Sequence, residues 1–498
     1  KGHEKTQDFG KKKIYFSDKK IILDSIKLKN INLSKNLKIN IIKEVSKIKN
    51  KISLIKLDKV RINSREVNKN DIFFAIKGKK NDGNKFIAEA FKNKASLAVV
   101  NKIQNKFDSN RQIKVRNTLK FMTEISKVFR KNIDTNIIAI TGSCGKTTLK
   151  ELLGNVLRKV SSVSISPKSY NNKFGVPLSL LNLKHSDEFG ILEVGMDKKG
   201  EIDNLTKIIR PDQGIITNIS YAHSQNFKNI NQIAEAKAEI MNNIKRGGTV
   251  ILNIDDNFYT KHKNFALKKK LKVISFGIKN RLAMIKFMRA KKIKNKYELL
   301  INLNGLSVSF FSYNVNESNI YNILATLASI NLYIDVKKLK KDIFLSLKTP
   351  NGRGDISKVK LKNKKIFLVD ETYNSNPLSL KTAIQNYDKI ESKNSKKYLI
   401  LGDMLELGKH SMKQHKLVSK IINKTKINKV YVVGKYIKET FNGLKPNKKA
   451  KVLSDKFNII NLINDNLNNN DYLMIKGSNS TGLHKITTKL KQRISNAI

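Results

Sequence analysis

The chain has 498 residues, 40% of them apolar, with 99 Lys and Arg against 40 Asp and Glu and a formal net charge of +59. That length suits roughly three domains with real cores, which excludes global disorder; no apolar run reaches the roughly 18 residues of a membrane span, no signal-peptide layout opens the chain, and one cysteine excludes a disulfide framework and fits a reducing cytosol. Only 12 of the basic residues are Arg and the lysines are spread along the whole chain beside abundant Asn and Ile, so the charge reads as solvated lysine faces from an AT-rich coding bias, with no nucleic-acid partner.

In chain order, residues 1–27 read as the end of something else, opening on Lys1-Gly2-His3-Glu4 without Met, as a fragment or processed product would. Residues 28–50, rich in Lys, Asn, Ile and Leu, read as a linker and the start of a next strand and helix. Residues 51–130 carry short strands at 72–76 and 97–100 and a helix near 86–91, predicting a small α/β domain. From 135 the pattern alternates: strands at 137–140, 190–196 and 213–218 are separated by helical stretches such as 231–244. Near-continuous apolar strands in that alternation predict a parallel sheet covered on both faces, in a central domain over 131–349. Pro350-Asn351-Gly352 is a predicted hinge. A second alternating block over 350–498 has strands at 366–369, 397–401, 429–433 and 472–475, with helices near 378–390, 412–424 and 456–468.

The chemistry concentrates at strand ends. Gly142-Ser143-Cys144-Gly145-Lys146-Thr147-Thr148 follows the apolar run 137–140. After it, Leu149, Leu152, Leu153, Val156, Leu157 and Val160 recur at helical spacing. A strand, a glycine turn and a helix N-terminus make a phosphate cradle, in which backbone N–H groups and Lys146 meet the anion and a Thr hydroxyl can hold Mg²⁺. The strict six-residue spacing would need Gly at 140, where Ile stands. Cys144 reads as a small filler rather than a nucleophile. Glu193 is a carboxylate inside the apolar strand 191–196, costly to bury unless paired or on a metal. His223 follows the next strand, and a lone His is commonly structural. Both residues nevertheless lie past strands beside the nucleotide strand, where ligands gather in open α/β sheets, and this favours a metal role for each. Lys237, on a helical stretch, reads alone as a solvent lysine. Asp370 to Pro377 and Leu401 to Gly408 each follow an apolar strand and have the composition of binding loops.

With these segments in order, the chain resembles the Mur ligases. The shortened Thr-Gly-Ser-x-Gly-Lys-Thr loop of that family accounts for Ile140. Tyr170-Asn171-Asn172-Lys173-Phe174-Gly175-Val176-Pro177, Glu193-Val194-Gly195-Met196 with Gly200-Glu201-Ile202, Arg210-Pro211-Asp212 and Ala222-His223 are similar to its segments. So are Tyr373 to Pro377, Gly402 to Gly408, Lys476-Gly477-Ser478, Ser64-Arg65, the stretch from Asp71 to Gly78, and Asp82-Gly83. The likeness runs from about 38 to 490. Residues 1–27 resemble the C-terminal tail of another Mur ligase, which implies a fusion of consecutive enzymes in which Glu4 is idle.

The resemblance implies a three-domain α/β architecture: a UDP-substrate domain, a central P-loop ATPase domain and a C-terminal Rossmann-like domain. It implies an ATP- and Mg²⁺-dependent ligase of peptidoglycan precursor synthesis, working as a cytoplasmic monomer. The reaction would join D-alanyl-D-alanine to UDP-N-acetylmuramoyl-tripeptide through an acyl phosphate. Lys146, Glu193, His223 and Lys237 are then the catalytic set, with Lys237 where the family has a carbamylated lysine. Residues 142–148 with Asn319, Asn322, Arg353 and Glu371 would hold the nucleotide, and Thr147, Glu193 and His223 the metal. Ser64, Arg65, Asn171, Asn172, Tyr373, Asn374 and Asn376 would hold the other substrates. Asn63, Asn84, Ser318 and Asn479 depart from the family pattern. The alternatives are another Mur or folylpolyglutamate-type ligase, a P-loop ATPase acting on nucleic acid, or a non-catalytic remnant.

Overall fold

The computed structural model describes residues 37–46, 57–78, 81–345, 352–361, 364–392, 394–454 and 459–495. The expectations for residues 1–27, for much of 28–50 and for the turn at Pro350 and Asn351 lie outside them. The chain divides into two compact units, the first ending at Ile133 and the second beginning at Asp134.

The first unit is built on four parallel strands, β1 (Val60–Arg61), β2 (Ile72–Phe74), β3 (Leu97–Val100) and β4 (Gln112–Lys114), lying in that order. All residues of β2 and β3 are buried, the pattern of parallel strands covered on both faces. Helix Thr118–Lys131 starts where the Asn117 side chain accepts from the Lys120 N–H, and it buries Phe121, Met122, Ile125 and Phe129.

The second unit holds two sheets. The larger contains β5 (Asn136–Thr141), β6 (Val163–Ile165), β7 (Phe189–Glu193), β8 (Gln213–Ile216) and β9 (Thr249–Asn253). It continues through β10 (Lys272–Gly277), β11 (Ile285–Ile293), β12 (Lys296–Leu303) and β13 (Leu306–Ser312). The order is β13-β12-β11-β10-β9-β8-β5-β7-β6. The phosphate-turn strand β5 therefore lies between β7 and β8, parallel to both. Helix Lys146–Leu157 covers it with Leu149, Leu152, Leu153, Val156 and Leu157. Burying each such side chain is worth roughly 2 kcal/mol. Val160, expected on that face, lies past the helix end and is exposed. The helical stretch expected at 231–244 is an α-helix only over Ile230–Ala238, then tightens to a 3₁₀ segment, Glu239–Asn243.

The sheet is not wholly parallel. From β11 to β13 it runs as an antiparallel meander. Along β12 buried and half-buried residues alternate, and the lysine-rich end of β11 is exposed, so this stretch lacks the continuous apolar runs that mark its neighbours.

The other sheet contains β14 (Asp355–Leu361), β15 (Lys364–Glu371), β16 (Lys397–Gly402), β17 (Lys429–Val433), β18 (Lys449–Leu453) and β19 (Tyr472–Lys476). Its order is β14-β15-β19-β16-β17-β18, with only β14 antiparallel to its neighbour. The carboxyl ends of β15, β19 and β16 thus lie side by side, although they are far apart in the chain.

Candidate active site

The turn after β5 has no room for side chains where it bends. Gly142 has φ 144°, and a Cβ there would stand 1.9 Å from Thr217 Oγ1. Gly145, at φ 81°, leads into the helix that begins at Lys146. The β8 loop grips the turn from outside: Asn218 Oδ1 accepts from Cys144 N–H at 2.9 Å, and Thr217 Oγ1 donates to the Cys144 carbonyl at 2.6 Å. Two lysine side chains converge on one acceptor, the Gly142 carbonyl, with Lys146 Nζ at 2.8 Å and Lys237 Nζ at 3.1 Å. Lys237 is buried behind the turn, and desolvation, helped by repulsion from Lys146, holds its amine well below the usual lysine range.

Glu193, the last residue of β7, is buried beside the turn. Thr147 Oγ1 donates to its Oε2 and Asn171 Nδ2 to its Oε1, both at 2.8 Å. Among the described residues, no Lys, Arg or His cation lies within ion-pair distance of this carboxylate. Lys150, fully buried on the same helix, donates to the Ser166 and Lys168 carbonyls and holds the segment leading to Ser169.

The second sheet supplies the facing wall. Lys476 Nζ, at the end of β19, donates to Glu371 Oε2 at 3.2 Å and to the Asn374 carbonyl at 2.9 Å. Ser478 Oγ donates to the Ser375 carbonyl and accepts from Leu405 N–H at 2.8 Å. One short segment thereby ties the 371–377 loop to the 402–408 loop. The 371–377 loop meets the phosphate turn directly: Cys144 Sγ donates to Asn376 Oδ1 at 3.0 Å, and Tyr373 bonds Ser169 through their hydroxyls. Burial pushes the Cys144 thiol up, as suits a filler. Arg353 stacks over the Tyr373 ring, 4.0 Å from its centre. Between the walls runs a cleft of about 1210 Å³, lined among others by Lys146, Glu193, Asn322, Arg353 and Glu371. A cavity of the same volume runs along β18 from Lys449 to Leu453, beside Lys396 and Lys429, and has none of these groups.

Residues 56–130 match the Mur ligase family catalytic domain, 140–330 the Mur ligase middle domain and 357–479 the Mur ligase glutamate ligase domain. The chain is 32% identical over 453 residues to the UDP-N-acetylmuramoyl-tripeptide–D-alanyl-D-alanine ligase of Buchnera aphidicola subsp. Acyrthosiphon pisum (strain APS), covering 87% of this chain and 93% of that one. The chain belongs to the Mur ligase family. The enzyme of the same name from Rickettsia prowazekii (strain Madrid E) is 31% identical over 442 residues, covering 87% and 95%. The fold is shared with MurF from Acinetobacter baumannii (TM-score 0.78, 24% identity, 91% of this chain and 98% of that one). It is shared also with the Thermotoga maritima MurF ligase in complex with ADP (TM-score 0.73, 24% identity, 90% and 100%).

The second unit of this Mur ligase brings most of the candidate residues to the cleft, including Ser143 to Thr148, Asn171, His223, Tyr373, Asn374 and Asn376. Others stand back from it. Gly142 bends the turn without lining the cleft, and Lys237 lies behind the turn. Asn319 does not line the cleft; its side-chain NH₂ donates to Ser312 Oγ and the Asn314 carbonyl. Asn172 Oδ1 accepts from the N–H groups of Phe174 and Gly175, at the start of helix Gly175–Leu181. Ser64 and Arg65 belong to the first unit, where Ser64 Oγ donates to Glu89 and Arg65 is exposed. The departures from the family pattern have local partners: Asn63 caps the 3₁₀ turn Ser64–Glu66, Asn84 bonds Asp82 and Asn101, and Asn479 donates to the Tyr373 carbonyl.

His223 sits at a left-handed φ of 53°. Its Nδ1 lies 2.7 Å from Glu406 Oε2 and 3.1 Å from Asp197 Oδ1. Neither carboxylate stands on the line of the ring N–H, so these are short contacts that become ion pairs when the ring is protonated rather than aligned hydrogen bonds. Burial opposes a charged ring; the two carboxylates outweigh it and lift His223 above its ordinary value. Asn218, Thr217, Lys150, Asp197 and Lys476 escaped the sequence reading as site-forming residues. Only Lys476 left a signal, in its Lys-Gly-Ser segment.

Proposed function

We propose that this Mur ligase adds D-alanyl-D-alanine to UDP-N-acetylmuramoyl-tripeptide at the expense of ATP. The observation that carries the reading is likeness to ligases of that name over 93% and 95% of their length. The cleft supplies matching chemistry. The phosphate turn and Lys146 bind and neutralise the ATP phosphates. The tripeptide's terminal carboxylate attacks the γ-phosphorus, giving an acyl phosphate and ADP. The amine of D-alanyl-D-alanine attacks the acyl carbon, inorganic phosphate leaves with the C–O bond pair, and the amine proton is released. Phosphoryl transfer asks for positioning and charge neutralisation, which explains a lysine and backbone donors in place of a nucleophile.

The residues fit Mg²⁺. A buried carboxylate with neutral partners, a threonine hydroxyl beside it and an imidazole suit a cation held by few carboxylates that completes its shell with phosphates and water. Accordingly no group of three His, Cys, Asp or Glu side chains among the described residues forms a self-sufficient metal cage. Thr147, Glu193 and His223 would hold the ion, which when bound offsets the charge on the phosphoryl oxygens. Lys237, pressed toward its neutral form, has the lone pair that reaction with CO₂ to a carbamate requires. Arg353, Asn322 and Glu371 serve the nucleotide, the 373–376 loop the incoming dipeptide, and Ser64 with Arg65 the uridine nucleotide. Among the described residues no helix is long and apolar enough to cross a membrane, and the proposed setting is the cytoplasm, as a monomer.

The test is phosphate release from ATP with UDP-N-acetylmuramoyl-tripeptide, with and without D-alanyl-D-alanine. Release that needs both is the expected result. Release that needs neither, or that needs nucleic acid, would overturn it.

A further inference from the structure

The phosphoryl transfer proposed for the cleft leaves one of its carboxylates, Glu406, unused. The fold nevertheless specifies its place closely. Glu406 has a left-handed backbone, φ 64°, facing His223 at φ 53°. Non-glycine residues rarely adopt that region unless the surroundings enforce it, and such strain gathers at working sites. The loops that carry them interlock backbone to backbone. Gln225 N–H donates to the Glu406 carbonyl at 2.9 Å, and Ser224 Oγ donates to the Leu407 carbonyl at 3.3 Å. At Gly408, φ 55°, a Cβ would stand 2.7 Å from Gln225 Cα, so only glycine permits the approach. The result is Glu406 Oε2 at 2.7 Å from His223 Nδ1.

The Glu406 carboxylate, 2.7 Å from Nδ1 though off the line of its N–H, favours the ring proton on that side and so leaves the lone pair to Nε2. That is how imidazoles are prepared for metals: the carboxylate behind the ring sets the tautomer, fixes the orientation and raises basicity. Asp197 also faces Nδ1, but it is the farther and more exposed of the two. The nearer carboxylate comes from the other sheet. We propose that Glu406 is a positioning residue that orients His223 for a divalent cation, so that the cation site is complete only when the 402–408 loop is docked on the 220–227 loop. This rests on the reading of His223 as a cation ligand.

The test is Mn²⁺ binding to the full chain, followed by the free-ion electron paramagnetic resonance signal in the presence of a non-hydrolysable ATP analogue. Glu406→Ala is expected to weaken Mn²⁺ about ten- to a hundred-fold. Glu406→Gln, near-isosteric and still an acceptor, should fall between the two and carries the test if the alanine variant does not fold. Introduced into His223→Ala, Glu406→Ala should cost no more than about a further twofold, because both act through one ligand. Wild-type affinity in Glu406→Ala, or fully additive losses in the double variant, would overturn the inference while leaving the cation reading intact. Absence of nucleotide-dependent Mn²⁺ binding by the wild type would overturn both.

Discussion

Lys146 and Lys237 share the Gly142 carbonyl, so the charge of Lys146 is aimed at the phosphate turn while the buried Lys237 amine behind it is pressed toward its neutral form. Such an arrangement is poised for an anion. Lys146→Ala should lower ADP formation by two to three orders of magnitude, the range found when one preorganised charge-stabilising donor is lost. A coupled ADP assay reads this, and undiminished turnover would sink the assignment. Farther from the phosphates, His262 is buried with its Nε2 3.1 Å from the Ala234 carbonyl, on the helix that carries Lys237. Burial pushes its ring down to about 4 from an ordinary 6.5. The folded state therefore refuses a proton that the unfolded chain accepts. Its stability contribution is intact above the unfolded value and is lost as pH falls toward the folded one, by up to about 3 kcal/mol. Urea midpoints at pH 7.5 and 4.5 should differ less in His262→Gln than in wild type; an equal difference would refute the linkage. Lys146, Glu193 and His223 were legible because their residue types are conspicuous at the ends of apolar strands. Asn218 and Asp197 were not, because amides and acids in loops are common and only distance reveals which ones bond.

At the scale of elements, the phosphate turn and the Lys476–Ser478 segment are two points where packing leaves little tolerance. In Gly142→Ala the new Cβ would overlap Thr217 Oγ1, and relief requires the β8 loop to let go of the turn. A loss of about 2–4 kcal/mol is expected in urea unfolding, with loss of ATP binding by titration calorimetry. Ser478→Ala removes the acceptor of the Leu405 N–H and the donor to Ser375. That should cost about 1–3 kcal/mol and raise KM for the dipeptide more than it lowers kcat, because it loosens loops rather than removing a reacting group. An unchanged KM would place the dipeptide elsewhere. Among the parallel strands, β2, β3, β5, β7, β8, β15, β16, β17 and β19 were readable from apolar runs, with observed bounds within a few residues of expectation, while β1, β4, β6, β9, β10 and β18 were not foreseen. Nor was the β11–β13 meander. Half-buried alternation among lysines looks like surface, and its strand character comes mainly from antiparallel pairing of these strands with one another.

Taken whole, the molecule has a formal charge of +59, concentrated in lysines. Self-repulsion on that scale disfavours the compact state, so the thermal midpoint should rise as salt increases from about 0.05 to 0.3 M and charges beyond a Debye length are screened. A midpoint that falls with salt would mean that favourable ion pairs outweigh the repulsion. The amino-acid sequence by itself determined the alternating α/β pattern, the phosphate turn, the carboxylate and imidazole beside it, and the family. Each is written locally, in a run of apolar residues and the few that follow it. Tertiary structure alone decided which strand ends are neighbours. The order β14-β15-β19-β16-β17-β18 places three distant motifs at one edge, where Lys476 and Ser478 join them. It also decided that Glu406 meets His223, 183 residues away, because the interlock at Gly408 and Gln225 belongs to the packing of two loops and is written in neither of them alone.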